Sequence, residues 1–165
     1  MQIPHGLKKV AVICILKSGD QFLLLKRAKE PNQGLYTPVG GKLDPHEEPN
    51  AAAVRETFEE TGIKVPAMQY CGTLIETSPV KYNWGSFIYL SEIAFVEAPY
   101  CNEGTLEWID RAQLLDVPTP PTDWHIYQYV LEQKNFTFNA VYNENLELLT
   151  MTDLQTGEVV HPAGN

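Results

Sequence analysis

Residues 40–63, GGKLDPHEEPNAAAVRETFEETGI, constrain what this chain can fold into more than any other stretch. Paired glycines open it, another glycine closes it, and nothing between Pro49 and Thr61 breaks a helix. Proline suits the first helical turn, and Gly62 supplies a left-handed stop. At 100° per residue, Ala51, Val54, Phe58 and Thr61 fall on one side, read as the core face. Ala52, Glu56, Glu59, Glu60 and Ile63 fall on the other. Three carboxylates at i, i+3, i+4 spacing repel one another by a few tenths of a kcal/mol per pair. Arg55 is the one cation inside the helix and lies to the side. Either the helix is an acidic solvated surface, or a cation fills the gap. All-oxygen donors of this kind suit a hard ion such as Mg²⁺ or Mn²⁺.

The flanking segments predict strands. KKVAVICILK and QFLLLKRA, separated by SGD, read as a hairpin, and PNQGLYTPVGGK as a loop holding a short strand. KVPAMQYCGTLIET and WGSFIYLSEIAFVEA read as two longer strands, and TLEWIDRAQLLDV as a short strand with a helical turn. DWHIYQYVLEQ carries Trp124, Tyr127, Val130 and Leu131 at helical spacing, and NFTFNAVYNENLELLTM reads as a closing hairpin. Two helices far apart among strands predict an α/β fold, a mixed β-sheet sandwiched between helices. Without repeats or linkers, residues 1–165 read as a single domain.

The net charge of −9 argues against a duplex nucleic-acid partner, since phosphate backbones call for clustered Lys and Arg. It leaves room for a small anionic substrate if divalent metal stands between protein and phosphate. Cys14, Cys71 and Cys101 are odd in number, with no CxxC, as expected of reduced thiols. No apolar run is long enough to span a bilayer and the N-terminus lacks a signal-peptide layout, so a cytoplasmic protein with no membrane partner is expected.

The helical segment resembles the signature of the Nudix hydrolases, GX5EX7REUXEEXGU with U aliphatic. Gly41, Glu47, Arg55, Glu56, Glu59, Glu60 and Gly62 occupy its fixed positions and Ile63 its last aliphatic one. Seven fixed residues at usages of about 6% each give odds on the order of 10⁻⁹ per position, which sets coincidence aside. Thr57 departs at the first aliphatic site, expected at the border of the core face with a small effect on packing. The order of elements matches the family's α/β/α sandwich.

The resemblance implies hydrolysis of a nucleoside diphosphate linked to another group, by water attack at phosphorus. Glu56, Glu59 and Glu60 would be the catalytic and metal-binding carboxylates, joined by the Gly40 carbonyl and by a later glutamate, Glu103 or alternatively Glu107. Gly41, Glu47, Arg55 and Gly62 would hold the segment in shape, with Glu47 and Arg55 as an internal ion pair. Substrate contacts would come from Arg27, Tyr36, Thr37, Lys42 and Trp124, with Lys26, Trp84 and Phe87 as further candidates. The cofactor would be Mg²⁺ (or Mn²⁺), the partner a small-molecule nucleotide, and the assembly a monomer or homodimer. LYTPVGGK resembles MutT-like members, which implies a nucleoside triphosphate pyrophosphohydrolase, with oxidised purine nucleotides (the 8-oxo-dGTP diphosphatase group) as one substrate class. Thr37, where that group carries an Asn, and PTPPTD, where the mammalian type has an acidic pair, depart from it. Pro79, some sixteen residues past the signature, leaves an ADP-ribose or nucleotide-sugar pyrophosphatase as the alternative. A non-catalytic nucleotide-sensing domain is the alternative of another class, against which every charged position of the signature is kept. An isopentenyl-diphosphate isomerase, which shares the fold, is disfavoured because those members carry an altered signature.

Overall fold

The computed structural model describes residues 3–162. The strands are β1 (Lys9–Ser18), β2 (Gln21–Arg27), β3 (Tyr36–Thr37), β4 (Val39–Lys42), β5 (Gln69–Thr77) and β6 (Trp84–Glu92). They continue with β7 (Tyr100–Cys101), β8 (Gly104–Asp110), β9 (Phe136–Tyr142), β10 (Leu148–Asp153) and β11 (Val159–His161). The helices are α1 (Pro49–Thr61) and α2 (Pro121–Leu131). The strands form one mixed sheet in the order β11-β10-β9-β5-β6-β1-β2-β8-β7, with β3 beside β2 and β4 beside β1. The pairs β1/β6 and β5/β9 are parallel, and the other pairs are antiparallel.

Strand alternation splits the core in two, because successive side chains leave opposite faces. On one face Ile15, Leu24, Leu74, Ile88, Phe136 and Phe138 pack with Ile126, Tyr127 and Val130 of α2. On the other, Val12, Cys14, Leu16, Leu23 and Leu25 pack with Ala52 and Ala53 of α1. The expected helix–sheet–helix layering is therefore present.

β1 changes partner along its length. Ala11–Cys14 pair with β4, and Leu16–Ser18 pair with β2. The sheet divides there, and residues of both core faces (Val12 and Val39, Ile13 and Leu74) line one cavity at the division.

The buried side of α1 differs from the hydropathy reading. Ala52, Ala53, Glu56, Thr57 and Thr61 are buried, whereas Phe58 is 46% exposed. β4 carries glycines against two neighbours: a Cβ on Gly40 would stand 2.1 Å from the Val12 carbonyl oxygen of β1, and one on Gly41 2.5 Å from the Glu56 carboxylate of α1. α1 packs on β4 and β1 through Ala52, Ala53 and Thr57, small side chains that fit a close helix–sheet contact, and the Phe58 ring turns outward beneath the Lys64 ammonium. Thr57 accordingly sits at the centre of the interface, fully buried, its Oγ1 donating to Met68 Sδ at 3.6 Å. Gly62 ends the helix at φ +75°, its N–H donating to the Phe58 carbonyl at 2.7 Å.

The long strands are shorter than predicted: β5 begins at Gln69 and β6 stops at Glu92. Pro66 before β5, and Pro99 with the exposed 94–98 run after β6, suit loops rather than ladders. The helix expected from Asp123 begins two residues earlier, at Pro121, so Asp123 stands in its first turn.

Candidate active site

Arg55 organises the glutamate helix. Its Nε and Nη2 each donate to one oxygen of Glu47 at 2.8 Å, a two-bonded fork. Nη1 donates to Glu56 at 2.9 Å and to Glu59 at 3.1 Å, and Nη2 reaches the Lys42 carbonyl at 3.1 Å. One guanidinium thus ties the loop after β4 to two of the three helix carboxylates, instead of lying to one side of them. These bonds hold the Glu47 carboxyl below its ordinary range and push the guanidinium further above its own.

The three carboxylates do not face outward together. Glu56 is buried, Glu60 half-buried, and Glu59 exposed on the solvent side of Arg55. Burial raises the Glu56 carboxyl above its ordinary value; Arg55 opposes this, and the charges of Glu59 and Glu60 add to it. Glu60 accepts a hydrogen bond from Cys101 Sγ at 3.2 Å, which fastens α1 to β7. Burial in turn raises the Cys101 thiol.

Glu56 and Glu60 line a cavity of about 960 Å³ together with Gly40, Gly41, Lys42 and Glu103. Arg27 and Thr37 also border it. Of the two later glutamates, Glu103 in the β7–β8 turn faces the cavity, whereas Glu107 on β8 meets the phenol of Tyr36. Arg27 is steadied by its Nε donating to the Pro31 carbonyl at 2.6 Å.

Two expected substrate contacts lie elsewhere. Tyr36 packs against the core on the α2 side under the Lys26 ammonium and does not border this cavity. Trp124 borders a second, smaller pocket with His125 and His161, its Nε1 donating to the Leu115 carbonyl at 3.1 Å. Tyr36 thus serves the core, whereas Trp124 is half-buried and edge-on to His125, with ring centroids 5.0 Å apart. Phe87 packs on the α1 side, whereas Trp84, alone of the expected aromatics, reaches the main cavity, which Tyr82 and Tyr142 also line.

The cavity continues away from the glutamates to Glu76 of β5, Ser86 of β6, Thr122 and Asp123 of α2, and Tyr142 of β9. The sequence reading missed Glu76, which belongs to no motif, whereas Asp123 closes the PTPPTD segment that departs from the mammalian-type acidic pair. A faint signal existed: Glu76 shares the inward face of β5 with Leu74. From β4 through β1, β6 and β5 to β9 is four strand spacings, roughly 19 Å. The cavity is therefore long, with the glutamate helix at one end.

Among the described residues, no three His, Cys, Asp or Glu side chains already converge at metal-ligand distances. The donor chemistry nonetheless fits a hard divalent ion: Glu56, Glu60 and Glu103 border one end of the cavity beside the Gly40 backbone. Lining carboxylates of like sign gain most from a cation among them.

Comparison with known proteins identifies the family. The NUDIX domain family model matches residues 7–134, and the chain belongs to that family of hydrolases acting on pyrophosphate bonds. It is 27% identical over 143 residues to the uncharacterized Nudix hydrolase YvcI of Bacillus subtilis, covering 83% of this chain and 89% of that protein. The solved MutT protein of Bacillus halodurans is similar with a TM-score of 0.78 and 25% identity, over 92% of this chain and 97% of that one. Diphosphoinositol polyphosphate phosphohydrolase 3-beta of Bos taurus is 33% identical over 89 residues, 53% of this chain. The match spans about half the length of that relative, 52%.

Proposed function

We propose that the chain is a MutT-like pyrophosphohydrolase that converts a nucleoside triphosphate to the monophosphate and pyrophosphate. The observation that carries this reading is the single long cavity. Carboxylates, Arg27 and Lys42 gather at one end, and Trp84, Ser86 and Thr122 border it further along. A triphosphate laid toward the glutamates places its base toward the aromatic and neutral polar groups.

In this reading Glu56, Glu60, Glu103 and the Gly40 carbonyl hold Mg²⁺ or Mn²⁺, with Glu59 one helical position away. The ion, when bound, neutralises phosphate charge that would otherwise repel a nucleophile. The residues do the rest. Arg27 and Lys42 bind phosphate oxygens, and Arg55 and Glu47 keep the glutamate helix and the β4 loop in register. Glu56, at the buried end of the cluster, takes a proton from the attacking water. A water oxygen–phosphorus bond forms, the anhydride oxygen–phosphorus bond breaks, and pyrophosphate leaves with the electron pair.

The test is a panel of nucleoside triphosphates, oxidised purine triphosphates, ADP-ribose and a diphosphoinositol polyphosphate with Mg²⁺ or Mn²⁺, followed by product analysis. Pyrophosphate from a triphosphate supports the reading. AMP with ribose phosphate from ADP-ribose alone replaces it with the alternative pyrophosphatase activity. Binding without turnover of any of them marks a sensing domain.

A further inference from the structure

Arg55 restrains two of the three helix carboxylates and leaves the third alone. Its Nη1 donates to Glu56 and Glu59, whereas Glu60 makes no ion pair among the described residues. Glu60 is held by a thiol instead. Cys101 Sγ donates to its Oε2 at 3.2 Å, and its Oε1 has no hydrogen-bond partner among the described residues.

Cys101 lies on the hairpin that carries Glu103. Cys101 and Gly104 are paired across β7 and β8, so Asn102 and Glu103 are the two residues of the turn. β7 is two residues long and forms the edge of the sheet, with β8 as its one strand partner. A strand that short depends on contacts beyond its own ladder. Alternation supplies one, turning Tyr100 out to solvent at 88% exposure and Cys101 inward at 6%, among the side chains packed with α1. The other side of the turn is fixed on β2, where the Glu103 carbonyl accepts from the Ala28 N–H at 3.0 Å and Gly104 lies against the Lys26 carbonyl. The thiol thus joins the two segments, α1 and the β7–β8 turn, from which Glu60 and Glu103 border the cavity.

We propose that Cys101 is a positioning residue of the metal site, its thiol setting Glu60 and the Glu103 turn in place for a divalent ion. This deepens the reading above, in which both glutamates hold Mg²⁺ or Mn²⁺, and rests on it. The chemistry suits the task. An S–H is a weak, uncharged donor, so it orients one carboxylate oxygen without cancelling the charge that attracts the ion. An ammonium in its place would neutralise that charge and compete with the metal.

The test is Mn²⁺ titration of the nucleotide-free chain, with free Mn²⁺ read by electron paramagnetic resonance and Tm by calorimetry on each protein. The proteins are the wild type, Cys101→Ala, Cys101→Ser, Glu60→Ala, the double variant Cys101→Ala/Glu60→Ala, and Cys71→Ala. Cys71 is as buried, 7% exposed, but packs on the opposite face of the sheet. Cys101→Ala is expected to weaken Mn²⁺ binding by about tenfold, the usual cost of losing a group that orients a metal ligand. Cys101→Ser keeps a donor and stays within about threefold of wild type. Cys71→Ala binds Mn²⁺ as the wild type does, whatever its effect on Tm. Because Cys101 acts through Glu60, adding Cys101→Ala to Glu60→Ala costs less than about threefold more.

Wild-type affinity in Cys101→Ala, an equal loss in Cys71→Ala, a Cys101→Ser as weak as Cys101→Ala, or full additivity in the double variant overturns the proposal. Should Cys101→Ala not fold, Cys101→Val, which fills the space without a donor, is judged by the same criteria. If the wild-type chain binds no Mn²⁺, or Glu60→Ala binds it as tightly as the wild type, the metal reading itself falls and takes this inference with it.

Discussion

Gly40 and Gly41 are neighbours on β4, yet the structure assigns them opposite sensitivities to the same substitution. A Cβ on Gly40 would meet the Val12 carbonyl oxygen at 2.1 Å and its carbon at 3.1 Å, both backbone atoms of the paired strand. Relief requires the β4–β1 ladder to move, and overpacking of that kind costs about 1–3 kcal/mol. For a chain of this size, Gly40→Ala should lower Tm by roughly 3–10 °C. A Cβ on Gly41 would meet the Glu56 carboxylate at 2.5–2.6 Å, the far end of a flexible side chain. Restoring an ordinary contact displaces that carboxylate by about 1 Å, which costs the fold little and costs catalysis about a hundredfold. Differential scanning calorimetry read beside Mg²⁺-dependent turnover separates the two. Gly41→Ala is expected to keep Tm within about 3 °C of wild type while kcat/KM collapses. A Gly41→Ala protein that is fully active, or as unstable as Gly40→Ala, refutes the assignment of the Glu56 carboxylate to the reacting end of the cavity.

Further outcomes follow from the same geometry. Glu60→Gln and Glu59→Gln should each lower metal-dependent turnover, Glu60→Gln by at least about a hundredfold and Glu59→Gln by the same order if the exposed carboxylate swings to the ion; full activity in both would remove the helix from the chemistry. Mg²⁺ at a hundredfold excess over its dissociation constant should stabilise the chain by about 2.7 kcal/mol, seen as a rise in Tm that EDTA reverses and Glu60→Gln diminishes. Asp123 holds its proton up to about 8 in the fold, whereas in the unfolded chain a carboxyl of this type ionises near pH 3.9. Between those values the folded state binds more protons, so stability falls as pH rises. The Tm difference between Asp123→Asn and wild type should therefore grow from pH 5 to pH 8, and a constant difference would contradict the burial of that acid.

The glutamate helix was legible from residue 49 to residue 62 because Pro49 and Gly62 act through the backbone, where local rules suffice. The β1–β2 and β9–β10 hairpins were legible for the same reason, through short turns between apolar runs. Which side of α1 is buried was not. Hydropathy turns Phe58 inward, but α1 packs on β4 and β1 through Ala52, Ala53 and Thr57, and that packing is a long-range fact. The strands β7 and β11, two and three residues long, exist only through their partners. Within the site, the signature pointed to Glu56, Glu60, Arg55 and Glu47 because their spacing is local. Glu76 and Asp123 lie 47 residues apart on different elements, and only the packing of α2 on the sheet brings them to one cavity. Tyr36 and Trp124 show the converse, since an aromatic in a sequence does not reveal whether it stacks on a ligand or fills a core.

The central claim is that this cavity cuts a nucleoside triphosphate between its α- and β-phosphorus atoms. Phosphorus NMR of a triphosphate incubated with the wild-type chain and Mg²⁺ tests it in one spectrum. The account predicts a monophosphate resonance and a pyrophosphate resonance growing in equal amounts, absent when Glu60→Gln replaces the wild type. Inorganic phosphate with a diphosphate, or a triphosphate left intact under the same conditions, would contradict it.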